Sequence, residues 1–130
     1  MVGAMAPKTV VVVDDDPDMR LLVRLVIEAR GDCRVVAELV DGPEALEQID
    51  QLRPPPVPDV LVLDNHMQLM TGLEVAEIVL GDYPDLPIIL FSAYLNSDVQ
   101  NRADELGIAR CLAKGDYDQL PTLINELTAA

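Results

Sequence analysis

Five short apolar runs recur along this chain, at Thr9–Val13, Arg34–Val40, Asp59–Leu63, Leu86–Phe91 and Ile108–Ala113, several of them rich in valine and isoleucine with no polar alternation. A strand with one wet face alternates, whereas a continuous run suits a strand buried on both faces. The segments between the runs supply the covers. The first has Asp16 as helix N-cap and Pro17 at the first helical position, then Met19, Leu22, Val26 and Ala29 on one stripe, and stops at Gly31. The second starts after Asp41 with Ala45, Leu46, Ile49 and Leu52 facing inward, and prolines at 54, 55, 56 and 58 forbid its continuation. Three further helices are predicted over about residues 72–81, 96–106 and 116–127. Strands alternating with helices imply an α/β chain with a parallel sheet, because right-handed crossovers place helices on both faces. Such sheets carry their sites at the C-terminal ends of the strands, beside the point where strand order reverses.

With 130 residues, half of them apolar, the chain has room for one domain with a real core. Its formal charge of −14, from 23 acidic against 9 basic residues, repels nucleic acid and anionic lipid, so no direct nucleic-acid binding is expected. No apolar stretch approaches the ~20 residues of a membrane span, and residues 1–9 lack the features of a secretion signal. A cytoplasmic protein is the expectation. Cys33 and Cys111 lie in different predicted strands, as small hydrophobes rather than a disulfide pair. The Arg-Pro-Pro-Pro-Val-Pro link at 53–58 reads as a stiff loop.

The strand ends hold the chemistry. Strand one runs through Val10–Val13 into Asp14, Asp15 and Asp16; strand three runs through Val60–Leu63 into Asp64; strand four ends at Ser92; strand five runs into Lys114. An acidic run is more often a solvated helix cap, a serine after a strand is ordinary turn chemistry, and a lysine is usually exposed. Lys114, however, is one of two lysines, with Lys8, against seven arginines. Carboxylates converging on one sheet edge repel by about 4 kcal/mol per pair at ~4 Å in an effective dielectric near ~20, so something positive must sit among them. A hard divalent cation such as Mg²⁺ fits, because it takes one or two carboxylates, a carbonyl and waters. With Lys114 and the Ser92 hydroxyl, the set becomes a site for a phosphoryl group carried on one carboxylate. His66, the single histidine, has no second histidine or cysteine nearby to make a zinc site.

Taken in order, Val-Val-Asp-Asp-Asp-Pro-Asp-Met-Arg at 12–20, Asp-Val-Leu-Val-Leu-Asp at 59–64, Gly-Leu-Glu at 72–74, Pro-Ile-Ile-Leu-Phe-Ser-Ala at 87–93 and Leu-Ala-Lys at 112–114 resemble the receiver domain of bacterial two-component response regulators. The resemblance spans about residues 8–128 and implies a receiver domain over 9–128 after a tail at 1–8. It implies a flavodoxin-like, doubly wound sheet of five parallel strands in the order 2-1-3-4-5, with five helices in a three-layer αβα arrangement. Asp64 would be the phosphoacceptor. Asp15 and Asp64 would bind Mg²⁺ through their carboxylates and His66 through its backbone carbonyl, with Asp14 acting mainly through water. Ser92 and Lys114 would bind the phosphoryl oxygens, and Asp16 remains a helix cap. The implied activity is transfer of a phosphoryl group from a histidine kinase or phosphotransfer protein to Asp64, switching a protein-binding surface. Output would pass to a protein partner, through homodimerisation, or to an effector domain outside this sequence. The chain would catalyse only its own phosphorylation and dephosphorylation. Three positions depart from the family: Gln68 and Gly115 replace prolines, and Cys111 stands where an aromatic is common.

Two other readings compete. A haloacid-dehalogenase-like phosphohydrolase shares the hydrophobic-Asp-x-Asp pattern at Asp14 to Asp16, but needs an acidic pair after a strand beyond the lysine, and Asp116 and Asp118 open a predicted helix instead. A pseudo-receiver that binds partners without phosphorylation typically loses the acceptor or the lysine, and both residues stand here.

Overall fold

The computed structural model describes residues 6–51 and 58–129. Five strands, β1 (Lys8–Val13), β2 (Cys33–Leu39), β3 (Val60–Leu63), β4 (Ile88–Ser92) and β5 (Arg110–Ala113), form one parallel sheet in the order β2-β1-β3-β4-β5. The helices are α1 (Pro17–Glu28), α2 (Gly42–Gln51), α3 (Gly72–Asp82), α4 (Ser97–Leu106) and α5 (Leu120–Thr128). This is the flavodoxin-like arrangement implied above. Leu52 and the prolines at 54–56, expected to end the second helix, lie outside the described residues.

Two-sided burial explains the unbroken apolar runs. Val10 and Val12 point with Val60, Val62, Ile89 and Phe91 into a core covered by α1 and α5. Val11 and Val13 point with Leu61, Leu63, Ile88 and Leu90 into a second core, under α2, α3 and α4. The outer strands are less buried, and β2 carries an irregularity: Val10 pairs with Val35 but Val11 with Ala37, which leaves Val36 bulged and exposed. Cys33 on β2 and Cys111 on β5 are free thiols at opposite edges of the sheet, four strand spacings of about 4.8 Å apart, beyond disulfide reach.

Local signals set the helix starts. Asp16 accepts the Asp18 amide at 3.0 Å, Asp41 accepts that of Glu44 at 2.8 Å, and Asn96 accepts that of Val99 at 2.9 Å. Thr71 and Glu74 form a capping box on α3. Two expectations need correction. In α1 the buried residues are Val23 and Ile27, while Leu22 and Val26 are half-buried and Ala29 is exposed. The apolar residues of α1 fill two adjacent stripes; Met19 of the expected one packs against the sheet core together with Val23 and Ile27 of the other. The single helix predicted over 116–127 is instead a 3₁₀ segment, Lys114–Gln119, followed by α5. Pro121 has no amide proton and is suited to a first helical turn, so α5 starts beside it rather than running through it.

Candidate functional site

The C-terminal ends of β1, β3 and β5 bring the carboxylates of Asp14, Asp15 and Asp64 and the ammonium of Lys114 together where strand order reverses. One oxygen from each of the three carboxylates lies within 4.8 Å of the others. Asp14 and Asp64 are each 2% exposed, and Asp15 is exposed. Lys114 Nζ stands 2.8 Å from Asp14 Oδ2 and 3.4 Å from Asp64 Oδ2.

Burial, then the neighbouring Asp14 charge, push the Asp64 carboxyl up to about 6, against the opposing pull of Lys114 and of the His66 amide. Burial disfavours the Lys114 ammonium, but contact with Asp14 and the charges of Asp64 and Asp14 outweigh it and hold its pKa above the ordinary lysine value. Asp14 Oδ2 has a charge beside it but no hydrogen bond aligned on it. Three carboxylates share one ammonium, and one of them is pushed toward its protonated form. A buried oxygen that has an ion pair but no aligned hydrogen bond, within an all-oxygen donor set, fits a hard divalent cation.

The backbone around these groups is tightly packed. Asp14 Oδ1 accepts the Asp16 amide at 2.9 Å, and Asp64 Oδ1 accepts the His66 amide at 3.2 Å. Asn65, 6% exposed, takes the Gly72 amide on its carbonyl at 3.1 Å and the Leu73 amide on Oδ1 at 3.1 Å. A side chain at Gly72 would collide with the Asp64 carbonyl oxygen and stand 2.9 Å from Asn65 Cα. The glycine therefore lets the start of α3 press against the residue that follows β3.

Ser92 is fully buried at the end of β4, but its hydroxyl is engaged elsewhere: Oγ accepts the Tyr94 amide at 3.2 Å and reaches the Tyr94 carbonyl at 3.5 Å. Among the described residues no hydrogen bond joins Ser92 to Asp64. The His66 ring meets Tyr94 edge to face, with centroids 5.1 Å apart and planes at 86°. Asp16 caps α1, and Asp116 and Asp118 lie exposed in the 3₁₀ segment. Among the described residues, the second acidic motif of a dehalogenase-like hydrolase therefore has no counterpart beside Asp14. Sequence reasoning did not single out Arg20, whose Nη1 donates to the Asp14 carbonyl at 2.7 Å, nor Asn65 and Gly72. Arg20 and Gly72 lay inside the matched segments, but only the packing assigns them contacts.

The response regulator receiver domain model matches residues 10–125. A protein-glutamate methylesterase/protein-glutamine glutaminase of Agrobacterium fabrum is 35% identical over 126 residues, 93% of this chain and 34% of that protein. The chain spans about a quarter to a third of the length of the curated relatives it matches. A LuxR-family two-component response regulator from Aurantimonas sp. superposes with TM-score 0.86 at 26% identity, over 95% of this chain and 86% of that one. The response regulator TrrA of Thermotoga maritima, solved in complex with Mg²⁺-BeF, gives 0.78 at 27% identity, over 92% and 98%. The strand order, the acidic cluster at the switch point and these likenesses agree: the chain belongs to the response regulator receiver domain family.

Proposed function

We propose that the chain is a phospho-accepting switch in which Asp64 takes a phosphoryl group from the phosphohistidine of a histidine kinase or phosphotransfer protein. One observation carries this reading: the buried Asp64 carboxylate directly follows the central strand, and the Lys114 ammonium bridges it to the Asp14 carboxylate. A carboxylate oxygen of Asp64 attacks phosphorus as the P–N bond of the donor breaks. The bonding pair leaves with the imidazole nitrogen, and an acyl phosphate results. With its pKa about 6, Asp64 is mostly ionised at neutral pH and available as nucleophile. Lys114 stays protonated and donates to the phosphoryl oxygens, with the Ser92 hydroxyl as a second donor once it leaves Tyr94. Asp15 and Asp64 would hold Mg²⁺ through carboxylates and His66 through its backbone carbonyl, with Asp14 acting mainly through water. The bound ion supplies positive charge that offsets the carboxylates and the transferring oxyanions.

The receiver unit is proposed to run over 9–128, from the second residue of β1 to the end of α5. Its own chemistry is limited to phosphorylation and dephosphorylation of Asp64. Output passes to a protein partner, through homodimerisation, or to an effector domain; the methylesterase names and greater length of the curated relatives support the last route. Intact mass after incubation with acetyl phosphate and Mg²⁺ tests the reading. One phosphoryl mass is expected on the wild type and none on Asp64→Asn, and full labelling of that variant would sink the assignment.

A further inference from the structure

We propose that Arg20 is a positioning residue for the cation site: by holding the Asp14 carbonyl, it fixes the peptide joining Asp14 to Asp15 and so sets where the Asp15 carboxylate enters the cluster. The inference rests on reading that cluster as the Mg²⁺ site.

Asp14 and Asp15 are held very differently. Asp14 is anchored on its amide by the Leu39 carbonyl at 3.0 Å, on Oδ1 by the Asp16 amide at 2.9 Å, and on Oδ2 by the Lys114 ammonium at 2.8 Å. Asp15 is exposed, and its side chain has no hydrogen bond or ion pair among the described residues. Its carboxylate nonetheless lies within 4.8 Å of those of Asp14 and Asp64. Only its main chain can place it there, and that main chain is clamped from both sides. The Asp16 amide is tied back to Asp14 Oδ1, and the Asp14 carbonyl receives Arg20 Nη1 at 2.7 Å. The second bond is short and charge-assisted, and among the stronger kinds of hydrogen bond. Arg20 is half-buried on the first turn of α1, where its own amide donates to the Asp16 carbonyl at 3.0 Å. The side chain that clamps the turn therefore belongs to the helix that the turn begins.

Position and charge predict opposite signs. A guanidinium acting through its field repels Mg²⁺, so removing it would tighten binding. A guanidinium acting through the Asp14 carbonyl frees the 14–15 peptide when removed, and binding weakens. Groups outside the ligand set that orient metal ligands commonly account for about tenfold or more in affinity.

Calorimetric titration of the whole chain with Mg²⁺, for wild type, Arg20→Met, Arg20→Lys, Asp15→Asn and Arg20→Met with Asp15→Asn, separates the cases, because a double-mutant cycle isolates coupling. Arg20→Met is expected to bind about tenfold more weakly and Arg20→Lys in between. In the Asp15→Asn background, Arg20→Met should make no further difference. Arg20→Gln serves in its place should Arg20→Met not fold. Unchanged or tighter binding in Arg20→Met, or an equal loss with and without Asp15, would overturn the inference while leaving the metal site intact. Failure of the wild type to bind Mg²⁺ would overturn the metal reading itself.

Discussion

The Lys114 ammonium stands closer to Asp14 than to Asp64, 2.8 Å against 3.4 Å, although Asp64 is the carboxyl group pushed up to about 6. The ammonium thus leaves much of the Asp64 desolvation uncompensated, which puts that carboxylate under electrostatic strain.

That strain has a pH signature. The Asp64 pKa is about 6 in the fold against 3.8 ordinarily, so the folded state binds this proton more tightly than the unfolded chain does. The stabilisation is full below about pH 4 and is lost as pH rises through about 6, leaving ionised Asp64 costing on the order of 3 kcal/mol at neutral pH. Metal-free Asp64→Asn should therefore melt several degrees above the wild type at pH 7.5, and the gap should narrow toward pH 4.5. Thermal unfolding in EDTA at both values decides it, and a gap independent of pH would refute the account.

Mg²⁺ affinity should depend on Asp15 and hardly on Asp16. Asp16 Oδ1 is committed to the Asp18 amide, and asparagine caps as well as aspartate, so Asp16→Asn should bind as the wild type does. Asp15→Asn removes one of the three converging carboxylates and should weaken binding by at least about tenfold, the loss typical even for an outer partner. Equal losses in the two titrations would mean that the acidic pair is misassigned.

The lifetime of the phosphorylated state should lengthen with the bulk at His66 and Tyr94. These residues lie two beyond the acceptor and two beyond Ser92, and their rings brace one another edge to face. In the proposed switch they would flank the path of a water attacking in line with the aspartyl oxygen. His66→Ala and Tyr94→Ala should each speed loss of the phosphoryl label several-fold, a barrier change of order 1 kcal/mol. Because the rings support each other, the double variant should gain less than the sum of both. Unchanged or slower decay in both single variants, at matched Mg²⁺, would count against the steric account.

Leu69 has φ 40° and is 77% exposed, an unusual backbone for a residue with a side chain and one with little burial in return. Leu69→Gly should stabilise by about 0.5 kcal/mol, relief of strain exceeding the greater freedom glycine gives the unfolded chain. Leu69→Val, β-branched, should destabilise by about 1 kcal/mol. Urea midpoints are the measure, and a lower midpoint for Leu69→Gly would contradict it.

The sheet was legible because Val10–Val13 and Val60–Leu63 are buried on both faces, so the pattern of the chain and the pattern of the core coincide. Asp14, Asp64 and Lys114 were legible for a related reason: each polar residue ends an apolar run, and a parallel sheet gathers such ends. What depended on how elements meet was not. The inward stripe of α1 was set by the sheet, the start of α5 by Pro121, and the close fit at Gly72 by the path of β3. The Ser92 hydroxyl points to Tyr94 through a rotamer, and the contact of Arg20 with the Asp14 carbonyl joins a side chain to a backbone atom; neither leaves a periodic trace.

The bulge at Val36 bears on how copies of this protein behave when crowded. A sheet edge is a row of open backbone donors and acceptors onto which another chain can add, provided that the row stays regular over several residues. In β2 the extra residue interrupts the row near its middle and turns the strand. A second molecule aligning there would meet two short, misaligned stretches, which makes this edge a poor seed for fibre growth.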